Sequence, residues 1–160
     1  MRITSTLIAA IALFAIAPAA HAQLATADQS VNMSVSSINS LSFASSVSLT
    51  VNAGTIGSAS LTPATASSTY GIISNDNNAK LSASIDIDMP AGSSLEVDLA
   101  SPTGATAVGP TVLSTVSADL VTAIPAVSES GVALTYTFTA DVNTPSSLTR
   151  TVHYVLAQGA

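Results

Sequence analysis

Apolar and polar residues alternate along much of this chain, and that alternation is the main guide to its elements. Between Lys80 and Leu99, the residues Leu81, Ala83, Ile85, Ile87 and Met89 lie two apart, as do Leu95, Val97 and Leu99. A period of two places each set on one face of a strand. Pro90-Ala91-Gly92 between them carries turn chemistry, so the stretch predicts a β-hairpin around which the rest is organised. The same signal recurs in Val31, Met33 and Val35, more weakly in Leu41 and Phe43, and again in Val47, Leu49 and Val51 before Asn52-Ala53-Gly54. Tyr70 and Ile72 begin another short strand. Val132, Leu134, Tyr136, Phe138 and Ala140 form a strong one opened by Gly131, and Val152, Tyr154 and Leu156 the last.

Residues 55–68 show little pattern, and 74–78 and 141–147 read as turns rich in Asn, Asp, Ser and Pro. Residues 105–121 are ambiguous. Val112, Val116 and Leu120 have helical spacing, whereas Val116, Ala118 and Leu120 alternate, and Gly109-Pro110 and Pro125 bound any helix. About seven to eight short strands separated by such turns are the signature of a sandwich or barrel. The expected fold is all-β, an antiparallel immunoglobulin-like β-sandwich occupying residues 30–160 as a single domain. An outer-membrane barrel would need lipid-facing strands and aromatic girdles, which a chain with three Phe, three Tyr and no Trp does not supply.

The N-terminus changes the picture of where the protein works. Met1 and Arg2 precede an apolar run over 7–16, and Ala20-His21-Ala22 matches the small-x-small cleavage pattern. The run is shorter than the roughly 20 residues a membrane span requires. Residues 1–22 therefore read as a signal peptide cleaved before Gln23, and 23–29 as a flexible leader. The expected location is secreted: the periplasm, the cell surface or the extracellular space. The chain has no Cys, so neither lipid anchoring through Cys nor a disulfide nor a thiolate metal site is available.

Charge narrows the partners. The net charge is −6, and after cleavage only Lys80 and Arg150 stand against nine Asp and Glu. Nucleic acid needs a basic footprint that two scattered cations cannot make, and the same deficit disfavours anionic lipid. No nucleic-acid partner and no membrane insertion are expected. Catalysis is equally poorly supplied. His153 is the sole His after cleavage, no Gly-x-Ser-x-Gly elbow exists, and a Ser nucleophile needs a base within reach. The chain is not expected to be an enzyme.

One constellation invites a cation. In the hairpin register, Asp88 opposes Glu96 and Asp86 opposes Asp98, and like charges directly opposite destabilise a sheet. Three arrangements relieve this. The two strands can belong to different sheets, Lys80 or Arg150 can lie nearby, or Ca²⁺ can bridge the carboxylates, with Asn75, Asp76 and Asn77 adding oxygens. No other cofactor is expected.

The signal peptide, the Cys-free Ser/Thr/Ala-rich body and the closing run Thr151-Val-His-Tyr-Val-Leu156 resemble small secreted bacterial β-sandwich proteins of cell surfaces and fibres. WxL-type surface domains also close on an aromatic-x-Leu strand, here Tyr154-Val155-Leu156, although this chain has no Trp. The resemblance covers composition, strand layout and the last strand, and implies no site. The expected function is that of a non-catalytic structural or adhesive surface protein, such as a fibre subunit. The alternative is an extracellular binding module for calcium or a glycan. If fibres form, Val31, Met33 and Val35 are the candidate strand-exchange residues, adding to an exposed edge of another copy or of another surface protein.

Overall fold

The computed structural model describes residues 27–159, and within them nine strands and no helix. They are β1 (Asn39–Phe43), β2 (Ala64–Ser74), β3 (Ala79–Ile85), β4 (Ser94–Leu99), β5 (Thr106–Ala107), β6 (Thr111–Val112), β7 (Ala118–Ile124), β8 (Val127–Thr139) and β9 (Val152–Gln158). All pairs are antiparallel and build two sheets, β1-β2-β8-β4-β6 and β5-β7-β3-β9. One core joins them in a sandwich-like architecture. Ile72, Val97, Leu99 and Leu134 come from the first sheet, and Leu81, Ile85, Leu120 and Val121 from the second. All nine strands lie in the unit that begins at Val35. The signal-peptide reading, and the first half of the expected leader, lie outside the described residues.

β8 is the longest strand and the middle of its sheet. Val132, Leu134 and Tyr136 point into the core, while Thr135, Thr137 and Thr139 alternate with them as half-buried outer residues, a placement that suits β-branched side chains. The strand begins at Val127, upstream of the expected start. Gly131 does not open it. Between the pairs Tyr70–Val132 and Ile72–Glu129, Ser130 and Gly131 face Gly71 alone, a β-bulge. Gly131 sits at φ +72°, the left-handed region a bulge glycine supplies at low cost. β2 likewise begins earlier than expected. Its first half alternates half-buried Ala64, Ala66 and Ser68 with exposed Thr65, Ser67 and Thr69, and residues that small leave almost no hydrophobic signal.

The predicted hairpin is corrected. β3 pairs with β7 and β9, and β4 with β8 and β6, so consecutive strands lie in opposite sheets. Leu81, Ala83 and Ile85 contribute to the core from one side and Leu95, Val97 and Leu99 from the other. Residues 86–93 are long enough to cross the roughly 10 Å between packed sheets, and the crossing removes the like-charge oppositions a hairpin would impose.

The ambiguity over residues 105–121 resolves against the helix: β5, β6 and the start of β7 lie there. Val112 and Val116 are exposed while Leu113 and Leu120 are buried, so the helically spaced residues share no buried face. Neither Val31, Met33 and Val35 nor Val47, Leu49 and Val51 belongs to a strand.

Candidate functional site

A groove of about 570 Å³ lies at one end of the five-stranded sheet. Leu61, Leu95, Phe138 and Met89 supply its apolar floor. Phe138 pairs with Ala64 at the start of β2 and with Leu95 on β4, which fixes the groove at that end. Residues 47–51 and 144–150 form its banks, the second bending at Thr144 and Ser146.

The first bank keeps strand-like alternation without a strand. Val47, Leu49 and Val51 are half-buried, and Ser48 and Thr50 are exposed. Val47 and Leu49 pack against the core. Among the described residues, neither 45–52 nor 145–150 makes a backbone–backbone hydrogen bond. Exposed backbone of this kind is a template for another extended segment. Opposite the apolar floor, Arg150 donates from its two terminal nitrogens to the carbonyls of Thr149 (2.7 Å) and Asp88 (3.1 Å). Its Nε–H is buried and finds no acceptor, the one such side-chain atom among the described residues. A buried donor without an acceptor costs about 1–3 kcal/mol, so this bank is incomplete as it stands.

The turn 90–93 rises through Gly92 at φ +80°, where an added Cβ would collide with the Asp141 carboxylate. Asp141 itself accepts from the Asn143 backbone and the Thr144 hydroxyl through Oδ1. On the other bank, Asp86 clasps the start of β9. Its amide donates to the Thr151 carbonyl at 3.0 Å, and its Oδ1 accepts from the Thr151 amide at 3.0 Å. Aromatic side chains join β1 and β9, edge strands of the two sheets. Phe43 stacks on Tyr154 with ring centres 3.9 Å apart and on Tyr70 at 5.5 Å, linking β1, β9 and β2. The Tyr136 and Tyr154 hydroxyls meet at 2.6 Å across the two sheets, and the Tyr70 hydroxyl donates to the Ala100 carbonyl at 2.7 Å. Burial pushes all three tyrosines up, Tyr70 to about 12 with the Glu129 carboxylate adding to the rise.

The expected carboxylate cluster is not brought together. Asp86 holds Thr151. Asp88 accepts from the Thr115 amide at 2.7 Å and from its hydroxyl at 3.3 Å. Glu96 and Asp98 lie on β4, in register with Thr137 and Thr135 of β8. Among the described residues no group of three or more His, Cys, Asp and Glu is placed to hold a metal ion. Asn75 and Asp76, read as extra calcium ligands, instead tie down the entry to β1. Asn75 Oδ1 accepts from the Ile38 amide at 2.7 Å and its Nδ2 donates to the Ser36 carbonyl at 2.8 Å. Asp76 accepts from the Ser37 hydroxyl and from Asn39. Lys80 pairs with Asp119 on the neighbouring strand rather than with the 86–98 carboxylates. His153 is exposed on β9, in register with Ser84.

The strand-exchange candidates lie in an extended stretch. Val31 is 67% exposed, Met33 88% and Val35 82%. Sequence reasoning missed the groove, Arg150 and the aromatic stack. The first two depend on which segments go unpaired. The stack had a signal, since all three tyrosines and Phe43 fall on inward positions of alternating runs.

Fold and groove together define an antiparallel two-sheet β protein with an incompletely paired flank. No protein-family model matches the chain, and no curated protein matches it.

Proposed function

We propose that this chain is a secreted, non-catalytic structural subunit of a cell-surface fibre, built on an immunoglobulin-like sandwich and assembled by strand addition. The observation that carries the reading is the segment around Val31, Met33 and Val35. Three apolar side chains at strand spacing, each more than two thirds exposed, are what a segment that adds to a sheet presents. Consecutive strands β3 and β4 in opposite sheets support the sandwich topology. The acidic, Cys-free composition suits a protein that stays soluble until it assembles.

The test is to express the full chain, fractionate the cells, and examine the exported protein by light scattering and electron microscopy at rising concentration. Surface-associated multimers that grow with concentration are expected. A soluble monomer at every concentration, confined to the cytoplasm or released without assembling, would overturn the reading.

A further inference from the structure

Resting on that reading, we propose that the groove between residues 47–51 and 144–150 is the acceptor site, and that its occupant is the segment Val31–Val35 of a second copy of this chain. The banks and the segment match. Residues 47–51 and 145–150 line the groove and make no backbone–backbone hydrogen bond among the described residues, and the first has the same length and alternation as the segment, Val47, Leu49 and Val51 against Val31, Met33 and Val35. An inserted strand gains main-chain bonds along the banks and sets alternate side chains over Leu95 and Phe138.

Charge fits as well. From Gln29 to Phe43 the chain carries no charged residue, so the segment enters an apolar floor without burying an ion.

Reach decides between the chain's own segment and a neighbour's. The Asn75 and Asp76 side chains anchor residues 36–39 at the Ser74 end of β2, whereas the groove floor lies at the Ala64 end, beside Phe138. Those ends are roughly 33 Å apart at about 3.3 Å per strand residue. From the anchored Ser36, the stretch back to Val31 extends at most about 18 Å. The segment therefore falls short of its own groove and reaches another molecule's. Donor and acceptor at opposite ends make a head-to-tail contact, which does not close and so propagates as a filament.

Because the chain has no Cys, engineered thiols report the contact cleanly. Full-length chains carrying Met33→Cys are exported, mixed with chains carrying Thr50→Cys or Ser146→Cys on the banks, or Ser128→Cys on β8 at the far end, and then oxidised. All four positions are exposed, so folding is spared. Intermolecular bridges from 33 to 50 or 146, and none to 128, are the expected result. In parallel, Val31→Ser/Met33→Ser/Val35→Ser should weaken association by about a hundredfold or more, and a peptide of residues 27–36 should cap growth. Multimers that form without bridges to either bank would overturn the groove assignment and leave the fibre reading standing. In a double variant carrying Met33→Cys and Thr50→Cys on one chain, a bridge within that chain would overturn the head-to-tail geometry. Absence of multimers would overturn both.

Discussion

Val47-Leu49-Val51 and Leu95-Val97-Leu99 read alike in sequence, and the fold treats them differently. The second set lies on β4, hydrogen-bonded to β8 and β6, with Val97 and Leu99 at 0% and 1% exposure. In the first, all three are half-buried and Val47 and Leu49 pack against the same core, yet none belongs to a strand. Alternation specifies a face and leaves the neighbour unspecified. A strand in the middle of a sheet obtains partners on both sides from its own chain. Residues 47–51 obtain none among the described residues.

The largest test of this contrast is truncation. Leu99→Ala should cost about 2–5 kcal/mol, because its cavity lies in a core that cannot collapse. Leu49→Ala should cost about 1 kcal/mol in the unassembled chain, since part of its surface is already wet. Denaturant unfolding of both variants measures the difference. If Leu49→Ala proves as costly as Leu99→Ala, residues 47–51 are packed like a strand and the groove is not an open site.

A second test probes the aromatic contacts that join the two sheets. Tyr70, Tyr136 and Tyr154 all hold their hydroxyl protons more tightly than a free tyrosine, chiefly through burial, with the hydrogen bond between Tyr136 and Tyr154 raising Tyr154 further. A proton bound more tightly in the folded chain stabilises it fully below the unfolded value near 10. That stability drains as pH rises from 10 through the folded value, about 12 for Tyr70. The melting temperature should therefore be flat with respect to these groups up to about pH 10 and fall above it. Ultraviolet titration should show tyrosine ionisation coinciding with unfolding. Ionisation of any of the three near pH 10 in the folded chain would mean that the aromatic cluster is open to water.

The strands with large apolar side chains were legible in the sequence. Leu95, Val97 and Leu99, and Val132 through Tyr136, sit on the predicted faces because alternation reports burial directly. The first half of β2 was illegible, as Ala64, Ala66 and Ser68 are too small to register against Ser and Thr. The apparent hairpin misled because Pro90-Ala91-Gly92 turns the chain equally well within a sheet or between sheets, and only packing of both apolar faces into one core decides. Of the site, the candidate donor residues were visible as a pattern. The groove was not, because it is defined by the backbone bonds that residues 47–51 and 145–150 do not make, and no local residue pattern encodes a missing partner.

The smallest effect separates two carboxylates that looked equivalent in the sequence. In a hairpin register Asp86 and Asp98 would oppose one another, and removing either would relieve repulsion. Instead Asp86 accepts hydrogen bonds from the Thr151 and Ile87 amides, fixing the start of β9 and with it Arg150 on the bank of the groove. Asp98 is exposed on β4 across from Thr135. Asp86→Ala should cost about 1 kcal/mol, the typical net worth of such a bond, and should loosen the bank. Asp98→Ala should stay within about 0.5 kcal/mol of the parent. Asp86→Asn retains the accepting oxygen and should fall between the two. Urea midpoints give the ranking, and amide hydrogen exchange at Thr151 locates it. Faster exchange there in Asp86→Ala, with β4 unchanged, is the expected pattern. Equal stability of the two alanine variants would mean that the clasp on Thr151 does not hold the bank, leaving its position to the packing of Leu148 and Val152.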